Sequence, residues 1–421
     1  MSTAKKEELP TLGGVRIKAR KRNITVALDP ASFAEAILDI FEDTRQEGLA
    51  LEQQLDAANK VIDNSDLDFS TYGETLFEII FMGGRLSAGV KVLEGEKLPD
   101  YLMDQEATHE KLLPFVLLLQ KIIRRRPFLI KSLENVLCKL IQSLEHFDKD
   151  GREKLGLATA MIFQQKLGVQ PENVFEALMN STLVAKGTSL DFFTMFAKDF
   201  LRQGSFDDLM LILKKGKVED KLMELFPVSK RAPEHFNSHF EGAGLHKLVE
   251  HFKKKLSDVK LKELGKELSE MVAQEDDVDS VIDFVKAKSE EASLADSDII
   301  RTIWTSVMDA IEWSPKNVQQ NLNNAMRQVK KWAKLLGAIC TKGKHEVLLI
   351  YAIQTYCYEN TKLMKLFPQI VRTLYDADVL AEDTILYWYS KGQNQKGRQI
   401  FLRDIEPFVK WLEEAEEEEE D

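Results

Sequence analysis

Apolar residues recur every three or four positions along most of this chain, a spacing that places them on one face of an α-helix. The clearest stripes are Leu133, Val136, Leu137, Leu140, Ile141 and Leu144; Leu245, Leu248, Val249, Phe252 and Leu256; and Leu363, Leu366, Phe367, Ile370, Val371 and Leu374. The sequence has no alternating segments joined by Asn-Gly or Asp-Gly turns, and residues 23–28 are the only short extended candidate. The pattern predicts an all-α protein.

The predicted helices are short, with polar or Gly/Pro breaks between them. Helix starts are indicated at Asp29-Pro30, at Ser205-x-x-Asp208 and at Ser314-Pro315. No two segments align residue by residue, so a strict repeat is not demonstrated. Antiparallel helix pairs stacked as an α-solenoid fit this rhythm best, and a conventional multi-helix bundle is the alternative.

The composition changes along the chain, which suggests two domains. Residues 226–244 are rich in Pro, Gly and Ser and weakly periodic, and all five tryptophans follow them. We expect a basic disordered arm over residues 1–25, an N-terminal helical domain over 26–243, a second helical domain over 248–412 and an acidic tail over 413–421. A loop between helices is expected at residues 273–278.

Bulk properties exclude several classes of protein. The formal net charge is −12 and charged residues make up 30% of the chain, as in a soluble protein. No apolar run approaches the roughly 20 residues of a membrane span, and the N-terminus has no apolar core of a secretory signal. The three cysteines suit a reducing compartment. These features predict a cytoplasmic protein and leave the nucleus open.

Catalytic and metal-binding patterns are weak in this sequence. His235 and His239 have the i, i+4 spacing of a metal site, but no HExxH pattern accompanies them, and surface histidines in a linker are the better interpretation. Residues 83–89 lack the Gly-Lys-Ser/Thr of a phosphate loop. The cysteines have no CxxC spacing, and residues 49–93 keep no leucine heptad. We therefore predict no catalytic residue, metal or cofactor.

Basic clusters interrupt the acidic chain. The first forms an N-terminal arm with Arg16, Lys18, Arg20, Lys21 and Arg22, and others lie at 124–126, 214–217 and 253–255. The arm is a candidate RNA contact or a solubilising leader. Each internal cluster is either a solvated helix end, where cations are favoured, or a binding site.

Two blocks near the C-terminus interleave aromatic residues with carboxylates. The first contains Tyr375, Asp376, Asp378, Glu382, Asp383 and Trp388, and the second contains Phe408, Trp411, Glu413 and Glu414 followed by Glu416, Glu417, Glu418, Glu419 and Glu420. The rings are either core residues of the last helices or part of a surface. A surface of this composition suits a lysine-rich peptide, whose ammonium groups meet carboxylates while its methylene stems lie on rings.

The two blocks resemble the paired acidic-aromatic boxes that end a W2 domain, a HEAT-type helical domain. The resemblance covers about residues 248–418. An all-helical first half, a W2 end, this length and the start TLGGVRIKARKRN resemble the initiation factor five mimic proteins, also called basic leucine zipper and W2 domain proteins. The resemblance thus implies a HEAT-like α-solenoid followed by a W2 domain, although the heptad analysis does not support a leucine zipper.

The resemblance also implies a function. Such proteins are non-enzymatic translation regulators that bind the lysine-rich tail of the beta subunit of initiation factor two, and initiation factor three, and compete with initiation factor five on the preinitiation complex. The residues of the two blocks would form the binding surface, with a basic face at Lys253, Lys254 and Lys255. Two alternatives remain: modulation of guanine-nucleotide exchange or dissociation on initiation factor two, and RNA binding as an adaptor.

Overall fold

The computed structural model describes residues 29–420 except 47, 88, 94, 96, 293, 315 and 316, together with two short strands near the N-terminus. The strands, β1 (Thr11–Leu12) and β2 (Val15–Arg16), pair antiparallel. The other residues of the predicted basic arm, and residues 23–28, lie outside the described part. The rest is helical apart from an isolated bridge between Leu86 and Val92, which confirms the all-α prediction.

The chain divides into two compact units, Met1–Val249 and Glu250–Asp421. The first unit contains α1 (Pro30–Asp43), α2 (Leu51–Asn64), α3 (Phe69–Met82), α4 (His109–Arg125), α5 (Ile130–Gln142), α6 (Lys149–Gln164), α7 (Pro171–Leu178), α8 (Ser181–Ala185), α9 (Thr188–Gln203), α10 (Phe206–Lys215) and α11 (Pro233–Gly242). Its helices form two layers, because most pack against the helix two places on, and α6 packs against α9. One layer contains α2, α4, α6 and α9, and the other contains α1, α3, α5 and α7. This arrangement is the predicted α-solenoid.

The division between the units lies inside α12 (His246–Ala273). The second unit then contains α13 (Val278–Ala292), α14 (Asp296–Asp309), α15 (Val318–Ile339), α16 (Gly343–Glu359), α17 (Phe367–Tyr375), α18 (Glu382–Lys391) and α19 (Arg398–Glu420). It repeats the same packing rule, with α13, α15, α17 and α19 in one layer and α14, α16 and α18 in the other. A single apolar core lies between these layers and includes the fully buried Trp304, Trp332 and Trp388.

Two of the three predicted helix starts are confirmed. Asp29 caps α1 by accepting hydrogen bonds from the backbone N–H groups of Ala31 and Ser32, and Ser205 caps α10 by accepting from Asp208 N. The prediction at Ser314 is wrong, because α15 begins at Val318 with Asn317 as its cap. The side chain of Asn321 instead bonds to the backbone of Ser314 at both N and O. Ser314 therefore lies before the helix and is not its cap.

The weakly periodic stretch 226–244 is not an exposed linker. It forms the 3₁₀ turn Val228–Lys230 and α11, and buries Phe226, Phe236 and Phe240. The rings of Phe236 and Phe240 lie 4.7 Å apart, and Phe240 also meets Phe193 of α9 at 6.0 Å. Aromatic packing holds this segment in the first unit where helical periodicity is weak.

The two histidines of α11 have different surroundings. His235 is exposed, whereas His239 is half-buried, hydrogen-bonded to Thr194 Oγ1 at 2.9 Å and packed edge-on against the ring of Phe226. The interpretation of both as surface histidines is therefore wrong for His239. Among the described residues no group of His, Cys, Asp or Glu side chains is placed to hold a metal ion, and no helix is long and apolar enough to cross a membrane.

Candidate functional site

An aromatic cluster on α17 and α19 joins the two acidic-aromatic blocks. The ring of Tyr375 meets Phe408 at 5.7 Å and Trp411 at 6.2 Å, both edge-to-face, while Phe408 and Trp411 stack within 13° at 5.8 Å. Trp411 is 48% exposed, whereas Phe408 and Tyr375 are half-buried. We call Tyr375, Phe408 and Trp411 the terminal aromatic cluster. It gives the second unit an apolar patch that reaches solvent.

The amphipathic pattern of the two helices explains why these rings meet. On α17, Ile370, Val371 and Leu374 are buried in the core, and on α19 Ile405, Val409 and Leu412 are buried. Phe408 and Trp411 are three positions apart and so share one side of α19, next to its core stripe. The same holds for Arg372 and Tyr375 on α17. Packing of α17 against α19 therefore places both pairs at the edge of the core.

Trp388 has a different role from the one the sequence suggests. It is fully buried, its ring packs on Phe367 at 5.2 Å, and its Nε1–H donates to Gln354 Oε1 at 3.1 Å. It cannot touch a partner in this fold. Of the rings in the two blocks, Trp388 is a core residue, Tyr375 and Phe408 lie at the edge of the core and Trp411 is exposed.

Gln354 of α16 links Trp388 to the segment that leads into α19. Its side chain is fully buried, and its Nε2 donates to the backbone oxygens of Asn394 at 3.0 Å and Lys396 at 2.7 Å. Arg398 completes this link, because its guanidinium donates to the backbone oxygens of Trp388 and Tyr389. These bonds hold the start of α19 and so contribute to the position of Phe408 and Trp411.

The carboxylates of the first block follow α17. Asp376 and Asp378 are exposed in the turn after Tyr375. Asp378 has a positive φ of 56°, a conformation that Asp and Asn adopt more readily than most other residues except glycine. Glu382 and Asp383 lie in the first turn of α18, where carboxylates also stabilise the helix N-terminus. Asp376 and Asp378 are thus the acids of this block that are closest in sequence to the aromatic cluster.

The second block continues along α19. Glu413 and Glu414 are exposed directly after the buried Leu412. The backbone stays helical to Glu420, and the side chains of Glu416, Glu417, Glu418, Glu419 and Glu420 lie outside the described part of the structure. Lys410 pairs with Glu406 within its own helix, and this hydrogen bond raises the pKa of Lys410.

The proposed basic face at Lys253, Lys254 and Lys255 is not one helix face. Consecutive residues of α12 are separated by about 100° around the axis, so these lysines point in different directions. A better aligned basic stripe lies on α15, where Arg327, Lys330, Lys331 and Lys334 have the spacing i, i+3, i+4 and i+7. Lys331 pairs with Glu275 and Lys334 with Asp279.

Sequence reasoning missed two residues of the site. Arg372 lies over the rings of Phe408 and Trp411, with its Cζ atom 5.9 Å from each ring centroid. Its position three residues before Tyr375 was the available signal. Gln354 gave none, because a single glutamine in an apolar helix is not distinguishable from a surface residue until its partners are known.

Two stacks of antiparallel helices, the second ending in an exposed aromatic patch with acidic neighbours, define a class of HEAT-type proteins with a C-terminal W2 domain. Family models agree: the 5MP1/2 HEAT domain matches residues 17–262, and the W2 domain described as eIF4-gamma/eIF5/eIF2-epsilon matches residues 345–421. The W2 match contains the whole terminal aromatic cluster.

The chain belongs to the eIF5-mimic protein family. It is 33% identical to eIF5-mimic protein 2 of Gallus gallus and of Homo sapiens, over 99% of this chain and 98% and 97% of those proteins. It is 32% identical to eIF5-mimic protein 1 of Macaca fascicularis, over 99% of this chain and 98% of the relative. This membership confirms the resemblance seen in the sequence and places the protein in the regulation of translation initiation.

Proposed function

We propose that the terminal aromatic cluster and its neighbouring carboxylates dock a lysine-rich segment of a translation initiation factor. The partners that we propose are the lysine-rich tail of the beta subunit of initiation factor two, and initiation factor three. By occupying them in the cytoplasm, the protein competes with initiation factor five on the preinitiation complex. It acts by binding and not as an enzyme.

The observation that carries this proposal is the contact of Tyr375 with Phe408 and Trp411. It combines two blocks that are separate in sequence into one surface with an apolar floor. Asp376 and Asp378 follow Tyr375 in the sequence, and Glu413 and Glu414 follow Trp411. A lysine side chain matches both features, because its stem is apolar and its ammonium group is charged.

The surface suits a flexible basic segment better than a small molecule. Trp411 is widely exposed, and the acids beside the cluster are solvated instead of lining an enclosed cavity. Each contact is therefore weak, and affinity depends on several of them acting together. The acidic run from Glu413 onward extends the negative potential along α19 and attracts a basic segment before contact.

The test is binding of the lysine-rich beta-subunit tail to the full chain, measured by isothermal titration calorimetry. A variant with Asp376→Asn, Asp378→Asn, Glu413→Gln and Glu414→Gln keeps the rings and removes four charges. Asparagine at 378 tolerates the positive φ. The matched control neutralises four exposed acids of α1, Glu35, Asp39, Glu42 and Asp43. Equal affinities for the two variants would contradict the proposed surface.

Competition is tested in a second experiment. Initiation factor five bound to the beta-subunit tail should be released by the wild-type chain and not by the four-charge variant. A GDP-release assay on initiation factor two, with the same two proteins, separates docking from modulation of nucleotide exchange. Acceleration or slowing of GDP release by the wild-type chain in the absence of initiation factor five would favour that alternative.

A further inference from the structure

The terminal aromatic cluster already holds a cation of the chain itself. The guanidinium of Arg372 lies 5.9 Å from the centroid of Phe408 and 5.9 Å from that of Trp411, within the range of cation–π attraction to both rings. Arg372 is exposed, in the last turn of α17, and three residues before Tyr375, the third ring of the cluster. Four side chains from two helices therefore form one contact group.

This position is the one that an incoming basic side chain would need. Phe408 and Trp411 are nearly parallel, so a single cation can be shared by both rings, as Arg372 is. A guanidinium also stacks on aromatic faces better than an ammonium group does. A lysine from a partner would therefore approach rings that already interact with one cation. It would also be repelled by the positive charge of Arg372 beside those rings.

We propose that Arg372 is an internal competitor that sets the affinity and selectivity of the terminal aromatic cluster for basic segments. The inference rests on the proposed docking function. A segment with one or two lysines does not displace the guanidinium, whereas a segment with many lysines gains enough contacts with the surrounding carboxylates to do so. Arg372 thus raises the number of positive charges that a partner must carry.

A simpler role for Arg372 is stabilisation of the α17 C-terminus, where cations are favoured. That role predicts a small loss of stability in Arg372→Gln and no effect on the rings. The competitor role predicts that loss of the guanidinium uncovers the rings. The two roles differ in a readout that needs no partner, which is the access of a cation to Trp411.

The first experiment measures quenching of tryptophan fluorescence by caesium ions in the full-length protein. Trp304, Trp332 and Trp388 are fully buried and Trp313 is half-buried, so the Trp411 contribution is identified by its loss in Trp411→Phe. Arg372→Gln should increase the caesium quenching of Trp411. The control Arg403→Gln removes one positive charge from α19, where Arg403 pairs with Asp404. Equal quenching in the two variants would overturn the competitor role.

The second experiment measures binding of short and long oligolysine peptides to the same proteins at one ionic strength. Arg372→Gln should bind the short peptide about two- to fivefold more tightly than wild type, the size of one exposed cation–π contact. The gain should be smaller for the long peptide and smaller in Arg403→Gln. Weaker binding by Arg372→Gln would show that Arg372 orients the rings, and would also overturn the proposal.

Failure of the docking function is a separate result. If wild type binds neither peptide nor the beta-subunit tail, the docking proposal is wrong, and the caesium experiment still decides whether Arg372 covers the rings. If wild type binds the peptides and Arg372→Gln behaves like Arg403→Gln in both experiments, the docking proposal is supported and the competitor role of Arg372 is wrong.

Discussion

Tyr375 and Trp411 meet edge-to-face at 6.2 Å, although they come from different acidic-aromatic blocks and different helices. The contact turns two sequence motifs into one surface. Helix α17 supplies Tyr375 and helix α19 supplies Trp411, and both helices bury an apolar stripe in the same core. The proposed docking surface follows from how these two helices pack.

Replacement of the exposed ring should weaken docking without unfolding the protein. Trp411→Ala is expected to reduce affinity for the lysine-rich tail by about 1 kcal/mol, because one exposed cation–π contact is worth about that much. Tyr387→Ala is the matched control, since Tyr387 is 46% exposed on α18 and lies outside the cluster. Calorimetric titration measures both variants. An equal loss of affinity would show that the cluster is not the contact.

The docking interaction should be strongly dependent on salt. Raising ionic strength from about 50 to 300 mM shortens the screening length and weakens attraction between exposed charges. We expect the affinity of wild type to fall steeply over this range, and that of the four-charge variant to fall less. Fluorescence anisotropy of a labelled beta-subunit tail follows this dependence. Parallel salt curves for the two proteins would mean that these four acids do not contribute.

Loss of the buried Gln354 side chain should destabilise the second unit. Gln354→Ala leaves Trp388 Nε1–H and the backbone oxygens of Asn394 and Lys396 without their partner, at a cost of about 1–3 kcal/mol. Gln319→Ala, an exposed glutamine in the first turn of α15, should change stability by less than about 0.5 kcal/mol. Thermal denaturation followed by circular dichroism measures both. Similar midpoints would mean that Gln354 does not hold the start of α19.

The first unit should lose stability in mild acid through His239. Burial lowers the pKa of this imidazole, and the nearby Lys198 and Lys230 lower it further while Asp191 opposes them. The folded state therefore resists protonation. The contribution of neutral His239 to the free energy of unfolding is fully present above the usual histidine pKa of about 6.5. It is lost as the pH falls from there through the lower pKa that His239 has in the folded state.

A pair of variants isolates this effect. Hydrogen exchange of α9 and α11 between about pH 7 and 5 should show a smaller acid-induced loss of protection in His239→Gln than in wild type. His235→Gln, on the same helix and exposed, should behave like wild type. If all three proteins lose protection equally, another group is responsible for the acid sensitivity.

The cysteines should be unreactive in the native protein. Burial raises the pKa of Cys138 to about 11, and those of Cys340 and Cys357 to about 12. Since the thiolate is the reactive form, we expect Ellman's reagent at about pH 8 to react slowly with the folded chain and rapidly with all three thiols after denaturation. Rapid reaction of the native protein would show that these sites open readily.

Much of the fold could be predicted from apolar spacing, because an amphipathic helix must bury its stripe against another helix. The stripes at residues 133–144 and 363–374 are buried as expected. The apolar spacing was uninformative at residues 226–244, where three phenylalanines pack on one another and Phe240 also contacts Phe193 of α9. These ring contacts have no helical period. It misplaced the start of α15, because Asn317 caps that helix and Ser314 only resembles a cap.

The helical class, the family resemblance and the two blocks in which aromatic residues alternate with acids could all be recognised in the sequence. These properties are local, since they depend on spacing and residue type. The packing of the helices was needed to show that Trp388 is a core residue, that Trp411 is exposed, that Tyr375 joins the blocks and that Arg372 lies over the rings. Each of these depends on which helices are neighbours, and neighbour choice is set by long-range packing of α16, α17, α18 and α19 around one core.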